Sequence, residues 1–104
     1  MKRKGLAHID SDLARALDLL GERWTLLIIQ TIRDGKVRFE AMRDDLGIAR
    51  NILASRLEVL VEAGIVERRA YTDRPPRDEY HLTDRGHDLS TSLDALSAWG
   101  KKWT

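Results

Sequence analysis

The chain contains no cysteine. That removes disulfides, thiolate metal sites and thiol redox sensing, and it fits a cytoplasmic setting. No apolar run approaches the roughly 20 residues needed to span a bilayer, so no membrane partner is expected. The opening residues, MKRKGLAHIDSD, are basic but lead into no apolar signal core, so export is not expected. Repeats, low-complexity tracts and linkers are also missing. With 104 residues, the simplest organisation is one domain over 1–104. The three histidines, His8, His81 and His87, lack metal-ligand spacing, and there is no HExxH, GxSxG or phosphate-cradling glycine loop. We therefore expect no metal, no cofactor, no catalytic residues and no enzyme.

A strong charge of either sign is missing too. Eighteen basic and 17 acidic residues leave a net charge of +1, a weak footprint for a nucleic-acid partner. The distribution says more. Between residues 50 and 77 the bases are Arg50, Arg56, Arg68, Arg69, Arg74 and Arg77, against Glu58, Glu62, Glu67 and Asp73. All the bases there are arginine, whose planar fork suits phosphate and guanine.

What is present is a run of amphipathic segments. The spacing predicts a first helix over about 12–20, with Leu13 and Leu17 on one face and Gly21 as its stop. A second, over about 24–33, is apolar on more than one side and is expected to be the buried central helix, with Trp24 in the core. A third spans about 38–46, with Phe39, Met42 and Leu46 inward. Asp44 and Asp45 stand at its C-terminal end, where the helix dipole disfavours anions.

A short Gly47-Ile48 connection leads into ARNILASRLEVLVEA, residues 49–63. Leu53, Leu57, Leu60 and Val61 fall at i, i+4, i+7 and i+8, leaving Arg50, Asn51, Ala54 and Ser55 off the stripe near the N-terminal end. Two helices joined by a short Gly-containing turn form a helix-turn-helix, here about 38–63, whose second helix is the reader. Next come two β-rich runs, 65–71 and 78–83, around the loop TDRPPR at 72–77, because two prolines cannot continue a ladder. That makes a wing hairpin over about 65–83. Thr83 is a suitable N-cap for a final helix over about 84–103. Its Leu89, Leu93 and Leu96 stripe, with Trp99 beside it and Trp103 beyond, reads partly as a subunit interface.

The predicted fold class is mainly α with a small β-hairpin (α+β), a winged helix-turn-helix flanked by terminal dimerisation helices. The segments ALDLLGERWTLLII (16–29), RFEAMRDDLGIARNILASRLEVLVEAGIVERR (38–69) and PPRDEYHLTDRG (75–86) resemble the HxlR-type bacterial transcriptional regulators, relatives of the MarR group. The resemblance implies a homodimer that binds double-stranded DNA, with the 49–63 helix in the major groove and the wing on the backbone or minor groove. It implies a dimer interface carrying Leu13, Leu17, Leu93, Leu96 and Trp99.

Arg50, Asn51 and Ser55 become candidates for base edges, and Arg56, Arg69, Arg74 and Arg77 for phosphate. Thr25 and Lys36 are further candidates at helix ends. Three departures stand out. Ser11 occupies about the place where many members carry a sensing cysteine. Ala49 opens the reading helix, where serine is frequent and alanine caps poorly. Arg74 and Asp78 stand at wing positions that are more often apolar. An unidentified small-molecule effector, near Trp24, Phe39 or Trp99, fits the same plan. The competing reading, suggested by the near-neutral charge, is a winged-helix module for protein interaction or assembly that binds no DNA.

Overall fold

The computed structural model describes residues 5–73 and 76–104. Along the chain run α1 (Asp12–Leu20), α2 (Thr25–Arg33), α3 (Phe39–Leu46), α4 (Arg50–Glu62), β1 (Val66–Asp73), β2 (Pro76–Leu82), α5 (Asp84–His87) and α6 (Ser90–Trp103). The arrangement is a mostly helical winged helix with one antiparallel hairpin, as the sequence pattern predicts. Ser11 caps α1, its hydroxyl accepting from the Ala14 amide at 3.1 Å. The Glu22 carboxylate closes the start of α2, accepting from the Trp24 amide at 2.9 Å and the Thr25 hydroxyl at 3.0 Å. Trp24 is half-buried and packs against the core from its edge.

The core is aliphatic and lies where α2, α3, α4 and the base of the hairpin meet. Ile28, Ile29, Met42, Leu53, Leu57, Leu60, Ile65 and Val66 are fully enclosed. Each such side chain contributes about 1.5–3 kcal/mol through burial. Three of them are the predicted stripe of α4, so that helix is fixed along its back. Gly47, in the left-handed region at φ 66°, makes the tight exit from α3.

The other end of α4 is closed by a larger device. Gly64 takes φ 74°, the Gly64 amide bonds the Val61 carbonyl at 3.0 Å, and the Ile65 amide bonds the Leu60 carbonyl at 3.0 Å. This is the Schellman closure, with Leu60 and Ile65 both in the core as its apolar contact. Thr83 and Arg85, far along the chain, complete it. The Thr83 hydroxyl bonds the carbonyls of Gly64 (2.5 Å) and Ile65 (3.1 Å), and Arg85 Nη1 donates to the Ala63 carbonyl at 2.7 Å. The turn's own amides meet the carbonyls of Val59, Leu60 and Val61, and the segment that follows the hairpin meets those of the turn.

Three features differ from the sequence reading. First, the hairpin is longer. Asp73 pairs with Pro76 and Thr72 with Arg77, where a loop over 72–77 was expected. A two-stranded ribbon leaves one side of each strand unpaired, so a proline at the first residue of β2 breaks no ladder. Second, residues 36–38 are extended. The Tyr80 amide bonds the Val37 carbonyl at 2.7 Å and Arg38 forms an isolated antiparallel bridge with Glu79, so α3 starts at Phe39.

Third, the predicted 84–103 helix is divided. Thr83 caps only α5, accepting from the Gly86 amide at 3.2 Å, and the Leu89 amide bonds the Gly86 carbonyl at 3.1 Å before α6 begins. The two pieces answer to different partners. Gly86 is pressed against the turn after α4, whereas α6 packs on α2.

Gly86 has no room for a side chain. A Cβ there would stand 2.3 Å from the Ile65 carbonyl oxygen and 3.1 Å from a Leu82 methyl, whereas one at Gly100 meets nothing within 4 Å. Gly86→Ala should cost about 1–3 kcal/mol in urea unfolding, and Gly100→Ala should be neutral or slightly stabilising. Equal stability of the two variants would refute the close approach.

Candidate nucleic-acid interface

Three elements converge on one side of the molecule: the start of α3, the start of α4 and the hairpin. Between them lies a cleft of about 360 Å³, lined in part by Arg38, Phe39, Glu40, Arg50, Tyr71 and Arg77. Arg50 is the first residue of α4. Its Nη2 donates to Glu40 Oε1 at 2.7 Å, and its guanidinium lies 5.4 Å from the centre of the Phe39 ring. Glu40 also accepts from Arg43 Nη1 at 3.4 Å, one turn along α3. The Arg50 hydrogen bond, ahead of partial desolvation that acts the other way, holds the Glu40 carboxyl below its ordinary value. A depressed carboxylate pKa means the pair is intact at neutral pH. It is lost only as pH falls through a value below the usual carboxylate range.

Arg38 mirrors this arrangement from the residue that precedes α3. Its guanidinium stacks over the Tyr71 ring at 3.9 Å, and its Nε donates to Glu79 Oε2 at 3.4 Å. Tyr71 is the extra residue at a register shift between Ala70 and Thr72, and such a bulge re-aims a side chain. Glu79 accepts in addition from His81 Nε2 at 2.9 Å. That bond, more than the one from Arg38, keeps its carboxyl below the ordinary value. Sequence reasoning missed Arg38 because it placed the residue inside a helix. The usable signal was Val37-Arg38-Phe39, a β-prone run two residues after Gly35.

The start of α4 is open. Ala49 supplies no side-chain cap, and the first intrahelical bond runs from the Leu53 amide to the Ala49 carbonyl at 3.0 Å. The amides of Arg50, Asn51 and Ile52 have no acceptor among the described residues, and all three residues are exposed. Such an end carries partial positive charge and favours anions.

The predicted contact residues therefore separate into groups. Arg50, Asn51 and Ser55 share the exposed N-terminal part of α4, with Arg77 facing Arg50 across the cleft. Arg56 is half-buried on the same helix, its Nε enclosed with no hydrogen-bond partner among the described residues. Arg69 is not brought to this cleft. It pairs with Glu67 and lines a different cavity, toward α2 and α5. Arg74 lies outside the described residues. Thr25 is buried and bonded to Glu22, so it faces no partner, and Lys36 Nζ is held by Asp45 Oδ1 at 2.5 Å. That last pair gives Asp45 a structural role; Asp44 is exposed.

A second surface lies on α1 and α6. Leu13, Leu17, Leu96, Trp99 and Trp103 are exposed there, Leu96 at 56% and Trp99 at 61%. Leu93, by contrast, is 6% exposed and belongs to the core of its own chain. An apolar groove of about 180 Å³ runs between these helices, bordered by Leu13, Leu17, Leu20, Leu26 and Leu96.

A family model described as HxlR-like helix-turn-helix matches residues 19–104. An uncharacterized HTH-type transcriptional regulator of Mycobacterium tuberculosis is 45% identical over 91 residues, which is 88% of this chain and 58% of that protein. The chain thus spans less than two thirds of that relative. The HTH-type transcriptional regulator YodB of Bacillus subtilis is 35% identical over 89 residues, 85% of this chain and 80% of YodB. Reduced YodB superimposes with a TM-score of 0.75 at 32% identity, over 91% of this chain and 95% of that one. The redox regulator HypR in its reduced form superimposes with a TM-score of 0.82 at 32% identity, over 88% and 92%.

Proposed function

The chain belongs to the HxlR-like helix-turn-helix family, and we propose that it is a sequence-specific DNA-binding transcription regulator that acts in the cytoplasm as a homodimer. One observation carries the reading. α4 is anchored behind by Leu53, Leu57 and Leu60, while its exposed, uncapped start presents Arg50, Asn51 and Ser55 beside the Arg38–Arg77 cleft. A helix fixed at the back and open at its N-terminal end is what major-groove reading requires.

The roles follow from chemistry. Arg50 suits guanine O6 and N7, and Asn51 suits adenine N6 and N7. Arg77 and Arg38 on the cleft walls suit phosphate. Arg56 and Arg74 complete the phosphate set. To reach DNA, Arg50 must exchange Glu40 for a base or phosphate. Both partners of that pair are more than half exposed, so the exchange costs little.

The homodimer would use the α1–α6 face, with Leu13, Leu17, Leu96 and Trp99 meeting a second copy and Leu93 supporting them from within. Two readers related by a two-fold axis would engage half-sites roughly 34 Å apart.

A second reading, an assembly module without DNA binding, draws on the near-neutral charge and on the carboxylates that already hold Arg38 and Arg50. Salt-titrated gel shifts on the DNA upstream of its own gene separate the two. The regulator should bind, and absence of binding even at low salt favours the assembly module. Arg50→Ala should weaken the preferred site by about 1–3 kcal/mol with little effect on random DNA. Arg77→Ala should weaken all sequences alike and flatten the salt dependence. Equal losses on random DNA from both variants contradict these roles.

Trp99→Glu should convert a dimer to a monomer in sedimentation while leaving the helical content intact. An unchanged sedimentation coefficient would remove α6 from the interface.

A further inference from the structure

The cavity that holds Arg69 lies apart from the DNA-facing cleft. It has a volume of about 500 Å³ and sits between the C-terminal turn of α2, the outer side of the hairpin and α5. Its floor is apolar, with Ile32 and Leu82. Its polar side chains are Arg33, Arg69, His81 and His87; they are all nitrogen bases, and no carboxylate lines it. The acids that balance them stand behind. Asp94 Oδ1 accepts from Arg33 Nη1 at 2.9 Å, Glu67 holds Arg69, and Glu79 holds His81.

The two arginines differ in freedom. Arg33 is held on α6 by Asp94 and the Ser90 carbonyl, with the exposed Asp34 carboxylate 3.8 Å from its Nε, and its side chain is 22% exposed. It is a preset cation at the cavity wall. Arg69 is largely exposed and, among the described residues, pairs with Glu67, two residues along the same strand. An exposed pair of that kind exchanges readily for a ligand anion. A concave site of a few hundred Å³ with an apolar floor and a few convergent polar groups is the usual form of a small-molecule pocket.

We propose that this cavity binds a small organic anion, a carboxylate on an apolar body, with the carboxylate between Arg33 and Arg69 and the apolar part on Ile32 and Leu82. Arginine meets a carboxylate in a planar, paired fashion, and the floor favours a hydrocarbon body over a bare ion. The site also touches the DNA-facing cleft through one residue. Glu79 accepts from His81 on the cavity side and from Arg38 on the cleft side. A ligand that draws on His81 changes what holds Arg38, so occupancy would alter DNA affinity. That coupling rests on the proposed DNA-binding role; the site does not.

The test is an NMR titration of the full chain with phenylacetate, inorganic phosphate and the neutral phenylacetamide. Phenylacetate should shift the His81 and His87 ring signals saturably and more tightly than phosphate, and phenylacetamide should not. Arg69→Ala, an exposed strand change, should weaken phenylacetate at least tenfold with an unchanged melting temperature. Saturation by phosphate alone, equal response to the amide, no saturation, or full affinity in Arg69→Ala would each overturn the site.

Saturating phenylacetate should then change DNA affinity at least threefold in the unmodified chain and not in Glu79→Gln. Phenylacetate binding without any change in DNA affinity overturns the coupling alone. Failure to bind DNA at all counts against the regulator reading and leaves the titration result standing.

Discussion

The fold depends on how the C-terminal end of α4 is closed. A helix ends with carbonyls that need donors, and here they stand where the chain turns from α4 into the hairpin. Gly64 turns the chain in the left-handed region, and the Thr83 hydroxyl and Arg85 guanidinium then bond the carbonyls of Ala63, Gly64 and Ile65. Those bonds join residues about 20 positions apart, so they fix where the hairpin begins and where it returns. Gly86 lets the returning backbone approach Ile65 closely. With that end tied and Leu53, Leu57 and Leu60 in the core, α4 has little freedom to rotate or slide.

The two ends of α4 are therefore opposites. The C-terminal end is saturated with intramolecular donors. The N-terminal end has no side-chain cap, three exposed residues whose amides lack acceptors among the described residues, and arginines lining an adjoining cleft. Its inner anion is Glu40, which pairs Arg50 and Arg43 across exposed contacts. Exposed pairs are screened by solvent and hold weakly, more weakly than a well-formed bidentate base contact. Glu40 can thus hold Arg50 in place in the unliganded chain without competing strongly against DNA. A net charge of +1 is compatible with this, since the relevant field is local.

Much of the helical plan was legible because it follows from period alone. Leu53, Leu57 and Leu60 recur at helical spacing, and Gly21, Gly47 and Gly64 mark the stops, so α1 and α4 fall close to their expected bounds. What escaped was non-local or conditional. The bridge ahead of α3 exists only because β2 is there to pair with it, the Tyr80 amide bonding the Val37 carbonyl. Pro76 reads as a ladder breaker until the ribbon is known to have a free edge. The division between α5 and α6 comes from two packing partners that no local pattern encodes.

Within the candidate site, Arg50, Asn51, Ser55 and Arg77 were nominated from type and position, and all four are exposed, Arg50 and Arg77 on the cleft. Arg38 was not, because its role depends on stacking over Tyr71. Arg69 was assigned by type to a surface from which the structure separates it. The TDRG segment, which carried part of the family resemblance, closes the C-terminal end of α4.

The central claim is that the uncapped start of α4 faces DNA. Amide hydrogen exchange at single-residue resolution, with and without a duplex carrying the region upstream of its own gene, tests it most directly. DNA phosphate or backbone exclusion at that end should slow exchange at Arg50, Asn51 and Ile52, while the already bonded amides of Gly64 and Ile65 stay unchanged. Bound DNA with unaltered exchange at those three amides, and protection placed elsewhere, would contradict the account.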